Sequence, residues 1–273
     1  MNKKSGLSGI ITKSIALSIL VPVFMLTTSF FVTSGLDSKA QPTEASNTAF
    51  SGESHGSEEA APSFVMPEQQ LPESSENNRT VFSKSDWKLI LVNKQHPIPE
   101  DYEFPIGDIN SYMQCDERIR KSLMSMLSAA SAEKVYIFVA SPYRSDDQQG
   151  EIFTKSVDAL MDDGVSFADA YKETSQEITI PGTSEHQIGL AVDIIIDYYQ
   201  KLDEGFSKTK AYKWLIENCA DYGFILRYPK DKENITGIGF EPWHYRYVGE
   251  EAAHIIMEEG LTLEEFTDEY IYR

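Results

Sequence analysis

Asp193 interrupts a run that should otherwise be dry, Gly189-Leu190-Ala191-Val192-Asp193-Ile194-Ile195-Ile196. The glycine and the β-branched residues after it predict a loop that enters a strand, not one face of a helix. Asp193 would then point inward. A lone buried carboxylate is costly unless it is paired or metal-bound, so backbone donors, an arginine or a cation must meet it. His186 lies seven residues upstream, and Glu241-Pro242-Trp243-His244 brings a second histidine with another carboxylate. The chain has only five histidines, and two of them fall in these segments. His186, Asp193 and His244 offer two imidazole nitrogens and one carboxylate oxygen, a set that suits one Zn2+ per chain with a coordination position left open for water. Glu241 stands where a hydrolytic zinc site needs its general base. The pattern implies a metal-dependent hydrolase, with one geometric difficulty. Residues three apart on a regular strand face opposite sides, so Pro242 has to break the strand for Glu241 and His244 to serve one site.

Three further side chains are candidates for substrate contact. Arg144, in Ser141-Pro142-Tyr143-Arg144-Ser145, follows a predicted strand and precedes a predicted helix. A planar guanidinium at such a turn suits a substrate carboxylate or an oxyanion formed in hydrolysis; the plainer alternative is a surface arginine paired with Asp146 or Asp147. Gln149 lies one turn into the same helix and can present its amide to the same cleft. Ser184 can offer a hydroxyl beside the metal.

Composition narrows the partners. Lysine plus arginine number 24 against 43 aspartates and glutamates, a net charge of −19, with no basic run beyond Lys3-Lys4. Nucleic-acid binding, which needs a basic surface to neutralise phosphates, is excluded on this reading. Cys115 and Cys219 are the only cysteines and form no metal-type cluster. One disulfide between them is conceivable, but two small buried residues without a bond is the reading preferred.

The chain divides into three parts. Residues 1–36 hold basic residues followed by the uncharged run Ile15–Val32, about long enough to span a bilayer. They are expected to form a cytoplasmic start plus a transmembrane signal anchor that leaves the rest of the chain outside the cytoplasm. The alternative is a cleaved signal peptide, for which Ser38-Lys39-Ala40 offers small residues, and then a secreted protein; the apolar run exceeds the roughly 7–15 residues usual for such a core. Residues 37–84 are rich in Ser, Glu, Pro and Gly and read as a disordered polar tether. Residues 85–273 form the folded domain. Within it, strands are predicted at Lys88–Val92, Val135–Val139, Gly189–Ile196 and Tyr245–Val248. Helices are predicted at Asp116–Ala132, Ser145–Met161 (with a Ser145/Gln148 capping box), Ser166–Gln176, Lys208–Tyr222 stopped by Gly223, Glu250–Glu259 and Thr262–Tyr270. Short, irregularly spaced strands among helices suit an α+β fold with a small mixed or antiparallel sheet flanked by helices.

The combination Ser184-x-His186-x-x-Gly189-x-Ala191-x-Asp193 and Glu241-Pro242-Trp243-His244 resembles the signature of zinc D-alanyl-D-alanine carboxypeptidases of the VanY type. Tyr143-Arg144-Ser145 with Gln148-Gln149, the Pro181-Gly182-Thr183 lead-in, Leu91-Val92-Asn93 and Gly223-Phe224-Ile225-x-Arg227-Tyr228-Pro229 fit the same pattern. The likeness runs from about Trp87 to Tyr270. It implies the fold shared with the hedgehog and D-Ala-D-Ala-peptidase zinc domains, with His186, Asp193 and His244 as zinc ligands and Glu241 as catalytic base. Arg144 would act on substrate or transition state. It implies removal of the terminal D-Ala from peptidoglycan stem peptides or precursors, in glycopeptide resistance or wall trimming. The rival activities are an L,D-carboxypeptidase of the same fold and a zinc-containing wall-binding module without catalysis.

Overall fold

The computed structural model describes residues 81–272. The apolar run at Ile15–Val32 and nearly all of the expected tether lie outside the described residues. Among the described residues no helix is long and apolar enough to cross a membrane.

The chain enters through a hairpin of β1 (Ile106–Asp108) and β2 (Gln114–Asp116), two short antiparallel strands. Helix α1 (Glu117–Ala132) follows without a break because Asp116 caps it, its side chain accepting from the Arg118 N–H. Ile119, Leu123, Met126 and Ala130 recur at helical spacing and are all buried. After β3 (Ile137–Ser141), Ser145 opens α2 (Asp146–Asp162) with the expected capping box to Gln148, and Ser166 caps α3 (Phe167–Glu177). Strand β4 (Ala191–Ile196) is buried along its whole length. Helix α4 (Lys210–Asn218) tightens into a 3-10 turn at Cys219–Tyr222, and Gly223 ends it in the left-handed conformation (φ 77°) before β5 (Phe224–Leu226). The remaining elements are α5 (Glu233–Thr236), β6 (His244–Tyr247), α6 (Glu250–Glu259) and α7 (Leu263–Phe266).

Strands β3, β4, β6 and β5 pair in that order into one sheet, antiparallel throughout. The two faces of this sheet differ in chemistry because side chains alternate along each strand. Val192, Ile194, Ile196, Phe224, Leu226 and Tyr245 join α1 and α4 in the main core. The residues between them, Asp193 on β4 with His244 and Arg246 on β6, face the other way. Ile225 on that second face packs with α6 and α7 through Ala252, Ala253, Ile256, Leu263 and Phe266. A third, smaller cluster of Phe153, Val157, Ala170 and Ile178 joins α2 to α3. The architecture is the expected α+β arrangement, with helices flanking an antiparallel sheet.

One expected strand is absent, and three short strands form that the sequence pattern does not predict. Lys88–Val92 is not a strand; Trp87–Leu89 forms a 3-10 turn capped by Asp86. The carbonyls of Lys88 and Ile90 accept from Arg246 Nη2 at 3.0 and 2.8 Å, so a buried guanidinium takes the place of a strand partner. The hairpin β1–β2 and strand β5 were not foreseen, each being only three residues long and without a clear alternation. Cys115 and Cys219 are both buried and free, as the unbonded reading expected, and burial pushes both thiols up to about 12.

Candidate metal centre

Register builds the site. Asp193 is the direct cross-strand partner of His244 on one side and of Ser141 on the other, and directly opposed residues present their side chains to the same face. The β3–β4 ladder shifts register between Val139 and Ser141; this bulge turns the chain out of the sheet at Pro142, a common device beside active sites. The Pro142 carbonyl thereby meets His186 Nδ1 at 2.8 Å. His186 itself rides on a buried 3-10 turn, Glu185–Ile188, which Gly189 ends at φ 68°. A Cβ at Gly189 would lie 2.7 Å from both the Asp116 amide nitrogen and the Phe104 ring, so the motif needs glycine there for space as well as conformation.

His186, Asp193 and His244 converge, with one ligand atom from each within 4.8 Å of the others, and all three are buried. His186 Nε2 is 3.4 Å from Asp193 Oδ1, and His244 Nδ1 is 3.2 Å from the same oxygen. His186 Nε2 and Asp193 Oδ1 are buried without any hydrogen-bond partner. Buried polar atoms are rarely left so. A cation among the three would satisfy them, and two imidazoles with one carboxylate fit zinc while leaving a position open.

The difficulty with Glu241 is resolved by a turn. Glu241-Pro242-Trp243 precedes β6, and the His244 N–H donates to the Glu241 carbonyl at 3.2 Å. The strand begins only at His244, so Glu241 escapes its alternation, and its Oε2 lies 3.4 Å from His244 Nδ1. Its own N–H donates to the Tyr228 carbonyl, which fixes the approach. Arg144 reaches the same place from β3. Its N–H donates to the His186 carbonyl, its Nη2 stands 3.8 Å from Asp193 Oδ2, and its Nε is buried without a partner. The surface pairing of Arg144 with Asp146 or Asp147 is not what forms; Asp146 instead accepts from the Gln187 side chain. Gln149 is buried and donates to the Thr179 carbonyl at 2.7 Å, leaving Oε1 without a partner. Ser184 is buried on the turn, its N–H directed at Gln187 Oε1.

Charges at the centre are strongly perturbed. Burial and the nearby Arg144 lower His186 to about 4, so its ring is neutral at neutral pH. Burial alone would lift Asp193, but His186 and His244 beside it hold it well below the usual carboxylate range. Burial pulls His244 down, yet Asp193 and Glu185 outweigh it and bring the ring up to about 9. Burial raises Glu241 to about 8, against the pull of His244.

Sequence reasoning missed a second layer. Glu185 is fully enclosed, and its Oε1 accepts from Arg227 Nε and Arg246 Nη1, each at 2.7 Å. Arg227 also grips Glu264 with both terminal nitrogens at 2.8 and 2.7 Å. The signal was available: Arg246 between Tyr245 and Tyr247, and Arg227 after Phe224-Ile225-Leu226, are charges inside apolar runs, the same argument that singled out Asp193.

A two-histidine, one-carboxylate centre with a carboxylate at its rim and an arginine across from it, Asp193 and His244 on paired strands and the others on turns at the sheet's edge, defines a metallohydrolase. Comparison with known proteins narrows the class. The family model described as VanY, D-alanyl-D-alanine carboxypeptidase, matches residues 112–250. A D-alanyl-D-alanine carboxypeptidase of Enterococcus faecalis is 45% identical over 185 residues, covering 67% of this chain and 66% of that protein's length. Among solved structures, a mutant of the vancomycin-resistance D,D-pentapeptidase VanY from a VanB-type cassette, in complex with Zn(II), is 44% identical with a TM-score of 0.60; the match covers 66% of this chain and 99% of that one. VanYB in complex with D-alanine-D-alanine is 44% identical with a TM-score of 0.62, over 67% of this chain and 99% of that one. The chain belongs to the VanY family and carries its D-alanyl-D-alanine carboxypeptidase domain, a zinc metallo-carboxypeptidase fold.

Proposed function

We propose that the protein is a zinc-dependent D,D-carboxypeptidase that removes the C-terminal D-Ala from peptidoglycan pentapeptide stems or their precursors, and so lowers sensitivity to glycopeptides that bind D-Ala-D-Ala. The observation that carries the reading is the pair of buried, unpartnered atoms His186 Nε2 and Asp193 Oδ1 facing His244 Nδ1, with Glu241 Oε2 3.4 Å from that same nitrogen. A wall-binding module with structural zinc has no use for such a spare carboxylate.

His186, Asp193 and His244 would hold the metal. When bound, zinc supplies Lewis acidity, polarising a carbonyl and bringing the pKa of a water towards about 7. Glu241 accepts the proton of the attacking water and passes it to the leaving amine of D-Ala. Its raised affinity for a proton suits this, since a base close to the working pH can both take a proton and return it. Arg144, fixed through its main chain to His186, steadies the substrate carboxylate or the developing oxyanion. Gln149 and Ser184 are assigned to substrate contact beside it. The Gln187 side chain donates to Asp146 and so ties the start of α2 to the turn that carries His186.

The apolar run Ile15–Val32 supports a place in the cell membrane, single-pass, with the catalytic domain outside the cytoplasm where stem peptides are displayed. Mass spectrometry of stem peptides incubated with the domain tests the activity. Loss of one alanine from a pentapeptide, with a tetrapeptide left intact, is the expected result. Cleavage of the tetrapeptide alone would make the enzyme an L,D-carboxypeptidase, and cleavage of neither would leave a binding module.

A further inference from the structure

The two histidines of the centre use opposite ring nitrogens, and each choice has a visible cause. His186 donates Nδ1–H to the Pro142 carbonyl at 2.8 Å, an acceptor only, which leaves Nε2 with its lone pair towards Asp193. His244 is turned the other way. Its Nδ1 faces Asp193 Oδ1 at 3.2 Å, and its Nε2 faces Glu185 Oε2 at 3.5 Å. Neither His244 Nε2 nor Glu185 Oε2 has a hydrogen-bond partner, and both are buried, so a closing of about half an ångström gives an ordinary N–H···O bond.

Glu185 cannot turn elsewhere. Arg227 and Arg246 both donate to its Oε1. Those guanidiniums are themselves fixed, Arg227 by its two bonds to Glu264 and Arg246 by the carbonyls of Lys88, Ile90 and Tyr247. The arrangement leaves Oε2 as a bare acceptor aimed at one ring nitrogen. A carboxylate accepts and never donates when ionised, so the ring opposite it must carry its hydrogen on Nε2.

We propose that Glu185 is a positioning residue that sets the Nε2–H tautomer and the ring orientation of His244, so that the Nδ1 lone pair is presented to the metal. The residue next to one ligand in sequence thus orients the other ligand in space. The inference rests on the zinc reading of His186, Asp193 and His244. Glutamine at 185 keeps a carbonyl oxygen for the two arginines and turns an amide N–H2 towards His244 Nε2. That group calls for an acceptor on the ring, which puts the hydrogen on Nδ1 and closes the metal-facing lone pair.

The experiment measures zinc affinity by chelator competition in wild type, Glu185→Gln and Glu264→Gln, together with the thermal stability of the metal-free forms. Glu264→Gln weakens the same arginine network without touching His244. Glu185→Gln is expected to weaken zinc about 10- to 100-fold, the usual effect of losing a residue that orients a ligand, and Glu264→Gln to leave it within about threefold. Equal affinity in Glu185→Gln and wild type, or losses in the two variants that simply track lost stability, overturns the proposal. Nitrogen-15 NMR of the His244 ring in zinc-loaded wild type decides independently, even if Glu185→Gln does not fold. Zinc on Nδ1 with a protonated Nε2 is expected, and zinc on Nε2 overturns the proposal. A wild type that binds no zinc is a different failure, that of the zinc reading itself.

Discussion

His244 and His186 differ in what they must give up before a cation can enter. At pH 7 His186, lowered by burial to about 4, is already neutral, while His244, held up to about 9 by Asp193 and Glu185, carries a proton. Zinc binding must displace that proton, because a ligand nitrogen has to be free. Calorimetry in buffers of different ionisation enthalpy should therefore show release of at least about one proton per zinc near neutral pH, and affinity that rises with pH up to about 9; proton-neutral binding contradicts the assignment. His186→Ala and Asp193→Ala should each lose metal and turnover together, read by metal analysis of the purified variants. Glu241→Gln separates base from ligand. It should cost at least about 10²-fold in activity while zinc stays bound, and loss of the metal would make Glu241 a ligand instead. Burial raises Glu241 to about 8 and a nearby dication opposes this, so the acid limb of kcat/KM should fall between the ordinary carboxylate value and about 8. A profile flat across that window removes Glu241 as the base. Asp193 is legible in the sequence because a carboxylate in an apolar run demands a partner, and His186, His244 and Glu241 because their donor types suit a hydrolytic zinc site. Glu185 is not, since nothing in its flanking residues says that Arg227 and Arg246 come to meet it.

At the scale of elements, local signals that close within a few residues were readable and those that need a distant partner were not. The capping box of Ser145 and Gln148 and the glycine stop at Gly223 both stand where the local pattern predicts them. Lys88–Val92 has strand composition, yet its carbonyls are taken by Arg246 from far along the chain. The turn at Pro242 is the reverse case, in which a geometric difficulty in the sequence marked a real break before β6. Gly189 is the element-scale test. Its φ of 68° and the contacts a Cβ would make with Asp116 and Phe104 leave no room for alanine. Gly189→Ala should destabilise the domain by about 2 kcal/mol or more, a fall of at least about 4 °C in Tm for a domain of this size. An unchanged Tm would show that the His186 turn is not held by this approach.

The described residues are organised around a four-stranded sheet with two chemistries, an apolar face under α1 and α4 and a polar face that gathers Asp193, His244 and Arg246. The α+β class followed from the mixture of short strands and helices, but the order β3-β4-β6-β5 did not, because pairing between β4 and β6 spans about fifty residues of intervening chain and β5 is too short to announce itself. The proposed anchor makes a prediction at this scale. The full chain should sediment with membranes, and removal of residues 1–40 should release an active domain, because every proposed site residue lies beyond them; a truncated form that is folded and zinc-loaded but inactive contradicts that separation. The proposed function requires metal-dependent release of D-Ala by the His186–Asp193–His244 centre. Its most direct test follows D-Ala released from a pentapeptide stem by the purified protein before chelation, after chelation and after zinc is restored. The predicted result is turnover that vanishes with the metal and returns with about one zinc per chain, whereas turnover that survives complete removal of zinc would contradict it.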